Sequence, residues 1–279
     1  MPIAKLDPQW LERLCRVEFK VDEIVFPNPD VHQNEIPQDE EWCEVVVGDG
    51  RRRIRFHDYD EIYRIPGLYE ELFYERLKCC SPSMIAHLLE EVLNDFDDNV
   101  QQLRVLDLGA GNGMVGDELY ARHAQRIVGI DVLPEAREAT YRDRPEVYDD
   151  YMVVDLTDLP RDDEKALRNV RFNCLTSVAA LGFGDVPPKA FLRALTLIQN
   201  PSWVAFTIKD DFFRERETTG FSRLIRTLSR EEILQIQAYR RFRHRLSITG
   251  TPLYYIAMVA RKLEDIPPEL LEANWQAED

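Results

Sequence analysis

Val105-Leu106-Asp107-Leu108-Gly109-Ala110-Gly111-Asn112-Gly113 decides how this chain is read. Apolar residues broken by one acid predict a short buried strand, and the glycines after them a tight turn. The apolar spacing of Met114 to Ala124 predicts a helix, so the unit reads strand, glycine loop, helix. Glycine lacks a Cβ and accepts positive φ, which lets backbone approach a ligand closely. Five of the chain's 12 glycines (109, 111, 113, 116 and 129) fall within this unit, which argues against scattered turn residues.

Two cofactors compete for such a loop. Gly111 to Gly116 satisfies the dinucleotide pattern GxGxxG, and Asp131 stands twenty residues after Gly111, so an NAD(P)-dependent oxidoreductase is one reading. Three features favour S-adenosylmethionine. Asp107 ends the first strand, where an anion would repel a pyrophosphate but suits an ammonium and a sulfonium. The loop begins only after about a hundred residues, followed by further strands. A second acid-apolar pair, Asp155-Leu156, follows the next candidate strand.

The run Asp107-x-Gly109-x-Gly111-x-Gly113 resembles the first motif of the class I S-adenosylmethionine-dependent methyltransferases, and the resemblance extends over roughly residues 80 to 262. It implies that Gly109, Ala110, Gly111 and Gly113 make room for the methionine part of the cofactor, with Asp107 near its amino group. Asp131, followed by Val132, would accept hydrogen bonds from the ribose hydroxyls. Asp155 and Leu156 would meet the adenine, and Thr176, Ser177 and Val178 would form the floor under the methyl group. Taken singly, each acid could equally be a cap or turn residue; three at successive strand ends are harder to explain that way.

The 279 residues suffice for one large α/β domain with an elaboration. Strands are predicted at about 103–108, 126–131, 151–155, 172–177 and 202–208, with helices after the first, second and fourth. Ser81-Pro82 reads as a capped helix start, Pro187-Pro188 opens a helix to about 198, and Ser229-Arg230-Glu231-Glu232 reads as a capping box. Phe242 to Ile248 and Leu253 to Lys262 are joined by four residues, which forces an antiparallel hairpin. The expected fold is therefore α/β: a seven-stranded Rossmann-like methyltransferase sheet, parallel with an antiparallel C-terminal hairpin, and helices on both faces. The expected division is residues 1–80, 81–262 and an acidic tail 263–279.

Residues 1–80 add a β-hairpin, Trp42 to Val47 and Arg51 to Phe56, and then a tyrosine-rich block. The block resembles one that precedes the cofactor domain in bacterial methyltransferases of unassigned substrate. Tyr59, Tyr63, Tyr69 and Tyr74 suit a cover, apolar inside and hydrogen-bonding at its rim, or half-buried packing against the sheet; the two are compatible.

The formal charge of −16 argues against nucleic acid as a partner, since phosphates demand a basic face. Residues 210–245 carry nine arginines against six acids, either an ordinary solvated face or a surface that attracts an anionic substrate. No apolar run is long enough for a bilayer, and the N-terminus lacks a signal-peptide core. Five cysteines without CxxC spacing predict free thiols in a cytoplasmic protein, and five scattered histidines predict no metal.

Methyl transfer from a sulfonium requires an aligned nucleophile and, if the nucleophile carries a proton, a base. The chain lacks the Asp/Asn-Pro-Pro-aromatic tetrad after Leu175, which disfavours methylation of base or glutamine nitrogens. His57, Asp58 and Tyr59 are the candidate bases, with His244 and Asp210 behind them; His57 and Tyr59 are the catalytic choices. The reading is methyl transfer to an O or N atom of a small molecule. Its rivals are a cofactor-binding sensor or partner subunit with weak catalysis, and the oxidoreductase.

Overall fold

The computed structural model describes residues 23–27, 36–47, 50–181, 185–210 and 220–275. Seven strands form the main sheet: β4 (Arg104–Leu108), β5 (Arg126–Asp131), β6 (Asp150–Val153), β7 (Phe172–Ser177), β8 (Ile198–Lys209), β9 (Leu234–Leu246) and β10 (Pro252–Lys262). Their order is β6-β5-β4-β7-β8-β10-β9. The first five run parallel, whereas β10 is antiparallel to both β8 and β9. The strand directions are those expected, a parallel run closed by an antiparallel C-terminal hairpin, and the sheet is Rossmann-like.

Strand alternation sorts the core into two layers. Leu106, Leu108, Val128 and Ile130 face a layer built from the helices Arg161–Val170, Pro188–Leu197 and Phe221–Arg230. Val105 and Ile127 face the other, under the helices Ser81–Asp95, Met114–Ala121 and Pro134–Asp143. The helix Ser81–Asp95 buries Ile85, Leu88, Leu89, Val92 and Leu93 on one stripe, together worth roughly 10 kcal/mol of transfer free energy.

Three expectations need correction. Ser81 begins its helix but does not cap it: its hydroxyl bonds the ring of His244 (2.6 Å), and Cys80 occupies the cap position. Ser229 to Glu232 ends a helix rather than starting one. The helix is Phe221–Arg230, the turn closes through Glu232 N–H to the Ser229 carbonyl (3.2 Å), and β9 begins at Leu234, eight residues earlier than expected. The helix Arg161–Val170 after β6 went unforeseen, because Leu167 is its one buried residue and its apolar period is faint.

Ahead of the sheet stands a small antiparallel one, β1 (Glu23–Val25), β2 (Trp42–Val47) and β3 (Gly50–Arg55). The predicted hairpin is β2 and β3, and β1 extends it. The helix Tyr59–Arg64 and a wide π-helical segment Glu70–Arg76 follow. Ile54, Phe56, Ile62, Leu68, Leu72 and Phe73 form a separate core that closes on Met114, the first residue of the helix after the glycine loop. At the other terminus Trp275 folds back into the main core, beyond a short helix Pro268–Glu272. No helix among the described residues is long and apolar enough to cross a membrane.

Candidate active site

A cavity of about 310 Å³ opens at the C-terminal ends of the parallel strands, where open α/β sheets place their ligands. One wall is the glycine loop, Gly109, Ala110, Gly111 and Asn112. Asp131, Val132 and Leu133 from the tip of β5 and Asp155 and Leu156 after β6 add a second. The facing wall comes from the N-terminal segment: Phe56, Tyr59, Tyr63, Tyr69 and Phe73. His57, Asp185, His244, Arg245 and Tyr255 line it as well.

Asp131 presents its carboxylate along the loop. Oδ2 accepts from Gly111 N–H (2.9 Å) and Oδ1 from Leu133 N–H (3.0 Å). Burial pushes its pKa up, and these backbone donors pull the other way. Gly111 carries φ +55°, and its carbonyl accepts from Thr140 (3.0 Å) and Tyr151 (2.7 Å), so the bend is fixed on both sides. Asp155 lines the cavity while its Oδ1 accepts from the amide and hydroxyl of Thr157 (both 2.8 Å), so it is also the turn cap the cautious reading allowed.

Asp107, Gly113 and Ser177 do not line the cavity. Strand parity puts Asp107 on the side of Val105, beneath the glycine-loop helix. There it is 1 % exposed and accepts from Tyr148 (2.7 Å) and Thr176 (2.6 Å). Burial pushes its pKa up to about 6, against those two hydroxyls. Ser177 donates to the Leu108 carbonyl (3.1 Å), and Gly113 packs against Thr140, Arg144 and Tyr148. Of the expected methyl floor, Val178 lines the cavity.

The sequence reading missed how the N-terminal segment grips the loop. Glu70, buried in the π-helical segment, accepts from Asn112 Nδ2 (2.7 Å) and from Arg144 (2.7 Å), and Arg144 also reaches the Asn112 carbonyl (3.2 Å). Arg142 donates to the Tyr63 carbonyl (3.0 Å), and Arg64 pairs with Glu135 (2.5 Å). A Cβ at Gly111 would stand 2.6 Å from the Tyr63 hydroxyl, so part of the room made by this glycine is filled by the chain's own tyrosine. One signal was available: Phe73 and Tyr74 stand three and four residues after Glu70, so at helical spacing the acid falls on an apolar face and needs a partner.

His57 Nδ1 lies 3.4 Å from Asp185 Oδ1 and its ring stands edge-on to Tyr59 (5.6 Å). From Tyr59 the rings continue through Tyr63 (6.0 Å), Tyr69 (5.3 Å) and Phe73 (4.7 Å). Burial raises the pKa of Tyr59, Tyr63 and Tyr69, which keeps these phenols neutral. His244 stacks on Tyr255 (4.1 Å), and burial lowers its pKa well below the usual value, which removes it as a cation.

The arginines of residues 210–245 do not converge here among the described residues. Arg240 pairs with Glu91 (2.8 Å) and Arg241 with Asp210 (2.9 Å), on the outer strand β9, where charge blunts a free edge. Arg245 reaches the cavity but is spent on buried Glu41 (2.5 Å), so among the described residues the stretch brings no uncompensated cation to the cavity; Arg214 and Arg216 lie outside them.

No family model matches the chain, and no curated protein is similar to it in sequence. Solved structures of similar shape include the magnesium protoporphyrin IX methyltransferase of Synechocystis PCC 6803 with bound SAM, 14% identical over 65% of this chain and 79% of that one, TM-score 0.45. Another is a SAM-dependent methyltransferase of Methanosarcina mazei, 15% identical over 58% and 93%, TM-score 0.44. A third is the ribosomal protein L11 methylase of Lactobacillus delbrueckii subsp. bulgaricus, 16% identical over 66% and 79%, TM-score 0.44. Likeness at this level says nothing of substrate or of individual residues.

Proposed function

We propose that this chain transfers the methyl group of S-adenosylmethionine to an O or N atom of a small molecule. One observation carries the reading: a single cavity holds the glycine bend, Asp131 and Asp155 together with His57, Asp185 and an aromatic wall. Its volume falls at the low end of small-molecule sites, and the residues present fit the donor. Asp131 accepts from the backbone of Gly111, Leu133 and Val132, and a carboxylate has roughly four acceptor positions, which leaves capacity for one ribose hydroxyl. Asp155 and Leu156 would hold the adenine and Gly109 to Gly111 the methionine part. Bound there, the donor supplies an electrophilic methyl.

The chain's own residues align the acceptor, exclude water and move a proton. Tyr59, Tyr63 and Tyr69, which line the cavity, would exclude water around the bound donor and so strengthen the electrostatics there. His57, with Asp185 beside Nδ1, would take the acceptor's proton.

The test is thermal stability with S-adenosylhomocysteine against NAD(P). At a hundred times its dissociation constant the product should add roughly 2.7 kcal/mol, and NAD(P) nothing. Asp131→Ala should abolish that shift. Stabilisation by NAD(P) alone, or wild-type binding by Asp131→Ala, would overturn the reading.

A further inference from the structure

The charge lining the cavity is one-sided. Its carboxylates are Asp131, Asp155 and Asp185; among the described residues its one basic side chain of fixed charge is Arg245. That guanidinium is neutralised by Glu41, which is itself fully buried and held by the Ile248 amide (2.8 Å). Asp131 and Asp155 are committed to the donor in the proposed reading, which leaves Asp185 facing the second ligand. Tyr59 and Tyr255, which feel its charge, line the same cavity with Tyr69, neutral rings whose faces attract cations, while Phe56 and Phe73 already stand under Arg245 (5.6 and 6.0 Å).

We infer that the chamber beside His57 takes a small primary or secondary amine with an apolar body, bound as its ammonium against ring faces and Asp185. This rests on the methyl-transfer reading above and makes its acceptor nitrogen. A carboxylate or phenolate would meet Asp185 with like charge and, among the described residues, find no uncompensated cation lining the cavity. A neutral alcohol could donate one hydrogen bond to the carboxylate but would lack the charge attraction of both the carboxylate and the rings.

An ammonium has no lone pair, so it must first lose a proton, which passes to the imidazole of His57. The nitrogen pair then forms the bond to the methyl carbon, while the pair of the breaking carbon–sulfur bond stays on sulfur. Nitrogen regains its positive charge as the methylated ammonium, and the proton on His57 leaves to solvent. The charge near Asp185 is the same before and after.

The full chain, saturated with S-adenosylhomocysteine, should be titrated calorimetrically with phenethylamine, 2-phenylethanol and 3-phenylpropanoate. The amine should bind at least about tenfold more tightly than the carboxylate, a gap of roughly 1.4 kcal/mol. Asp185→Asn should erase most of that preference while leaving affinity for the homocysteine product and for the alcohol unchanged. Tyr59→Leu, which leaves the acid in place, should weaken the amine more than the alcohol. Equal or tighter binding of the carboxylate or the alcohol, or no binding of any of the three, overturns the inference. If the homocysteine product fails to bind while the amine keeps its Asp185-dependent preference, the donor assignment falls and the chamber's chemistry stands.

Discussion

Truncating Glu70 to alanine strands two buried groups at once. Arg144, 8 % exposed, loses its carboxylate, and the Asn112 amide loses its acceptor. Breaking a buried ion pair by removing one partner costs on the order of 3–5 kcal/mol, because the surviving charge has no water to return to. The stranded amide adds to that, less than fully, since both share one carboxylate. A loss of about 4 kcal/mol is expected, which for a domain this size lowers Tm by roughly 10 °C. The assay is equilibrium unfolding of wild type, Glu70→Ala, Arg144→Ala and the double variant. The cycle should show non-additivity of at least about 2 kcal/mol, because Arg144→Ala removes the charge that Glu70→Ala leaves to the longer-range attraction of Asp117 and Asp143. The glycine loop is held through Asn112, so Glu70→Ala should also weaken binding of S-adenosylhomocysteine at a temperature where the variant is folded. If Glu70→Ala costs under about 1 kcal/mol and the two changes simply add, the pair is solvated and the N-terminal segment does not grip the loop.

Two further perturbations test the loop and its buried acid. Gly111→Ala should cost on the order of 1–3 kcal/mol, since φ is +55° and the new methyl would meet the Tyr63 hydroxyl at 2.6 Å. Adding Tyr63→Phe should recover part of that, because the next atom of the ring is 3.5 Å away; identical melts for the single and double variants would refute the contact. Asp107 has its pKa raised from 3.8 to about 6, so the folded state holds more protons than the unfolded one between those values. Its contribution to stability is therefore lost as pH rises through that window, by a few kcal/mol at most. The stability of Asp107→Asn relative to wild type should climb from pH 4 to pH 6.5 and then level off, and a flat difference would place Asp107 in solvent.

The strand, glycine loop and helix were legible because each depends on neighbours in sequence: apolar alternation, glycines, then a helical stripe. The C-terminal hairpin was legible for the same reason, since four residues cannot make a crossover. Asp107 lies on the face of Val105, away from the cavity lining, a parity that could be counted from the sequence. Arg161–Val170 was missed because a helix that buries one leucine carries almost no period. Ser229 to Glu232 mimics a helix start, yet Leu224, Ile225 and Leu228 before it form the buried stripe. Glu70, Arg144 and Tyr148 could not be paired from sequence, because their partners lie 42, 74 and 41 residues away.

Those distant pairs bear on how the site works. The aromatic wall and the glycine bend come from segments that share no secondary structure, and an empty cavity between them would favour collapse. Buried polar contacts prevent that collapse by fixing direction as well as distance. Glu70 ties the wall to Asn112, and Glu41 ties the first small sheet to Arg245 at the far end of β9. Hydrophobic packing of Phe56, Leu72 and Phe73 on Met114 supplies adhesion but tolerates sliding. If the two carboxylates hold the cavity walls apart, replacing both pairs by apolar residues should leave a chain that folds stably but binds S-adenosylhomocysteine poorly in a calorimetric titration.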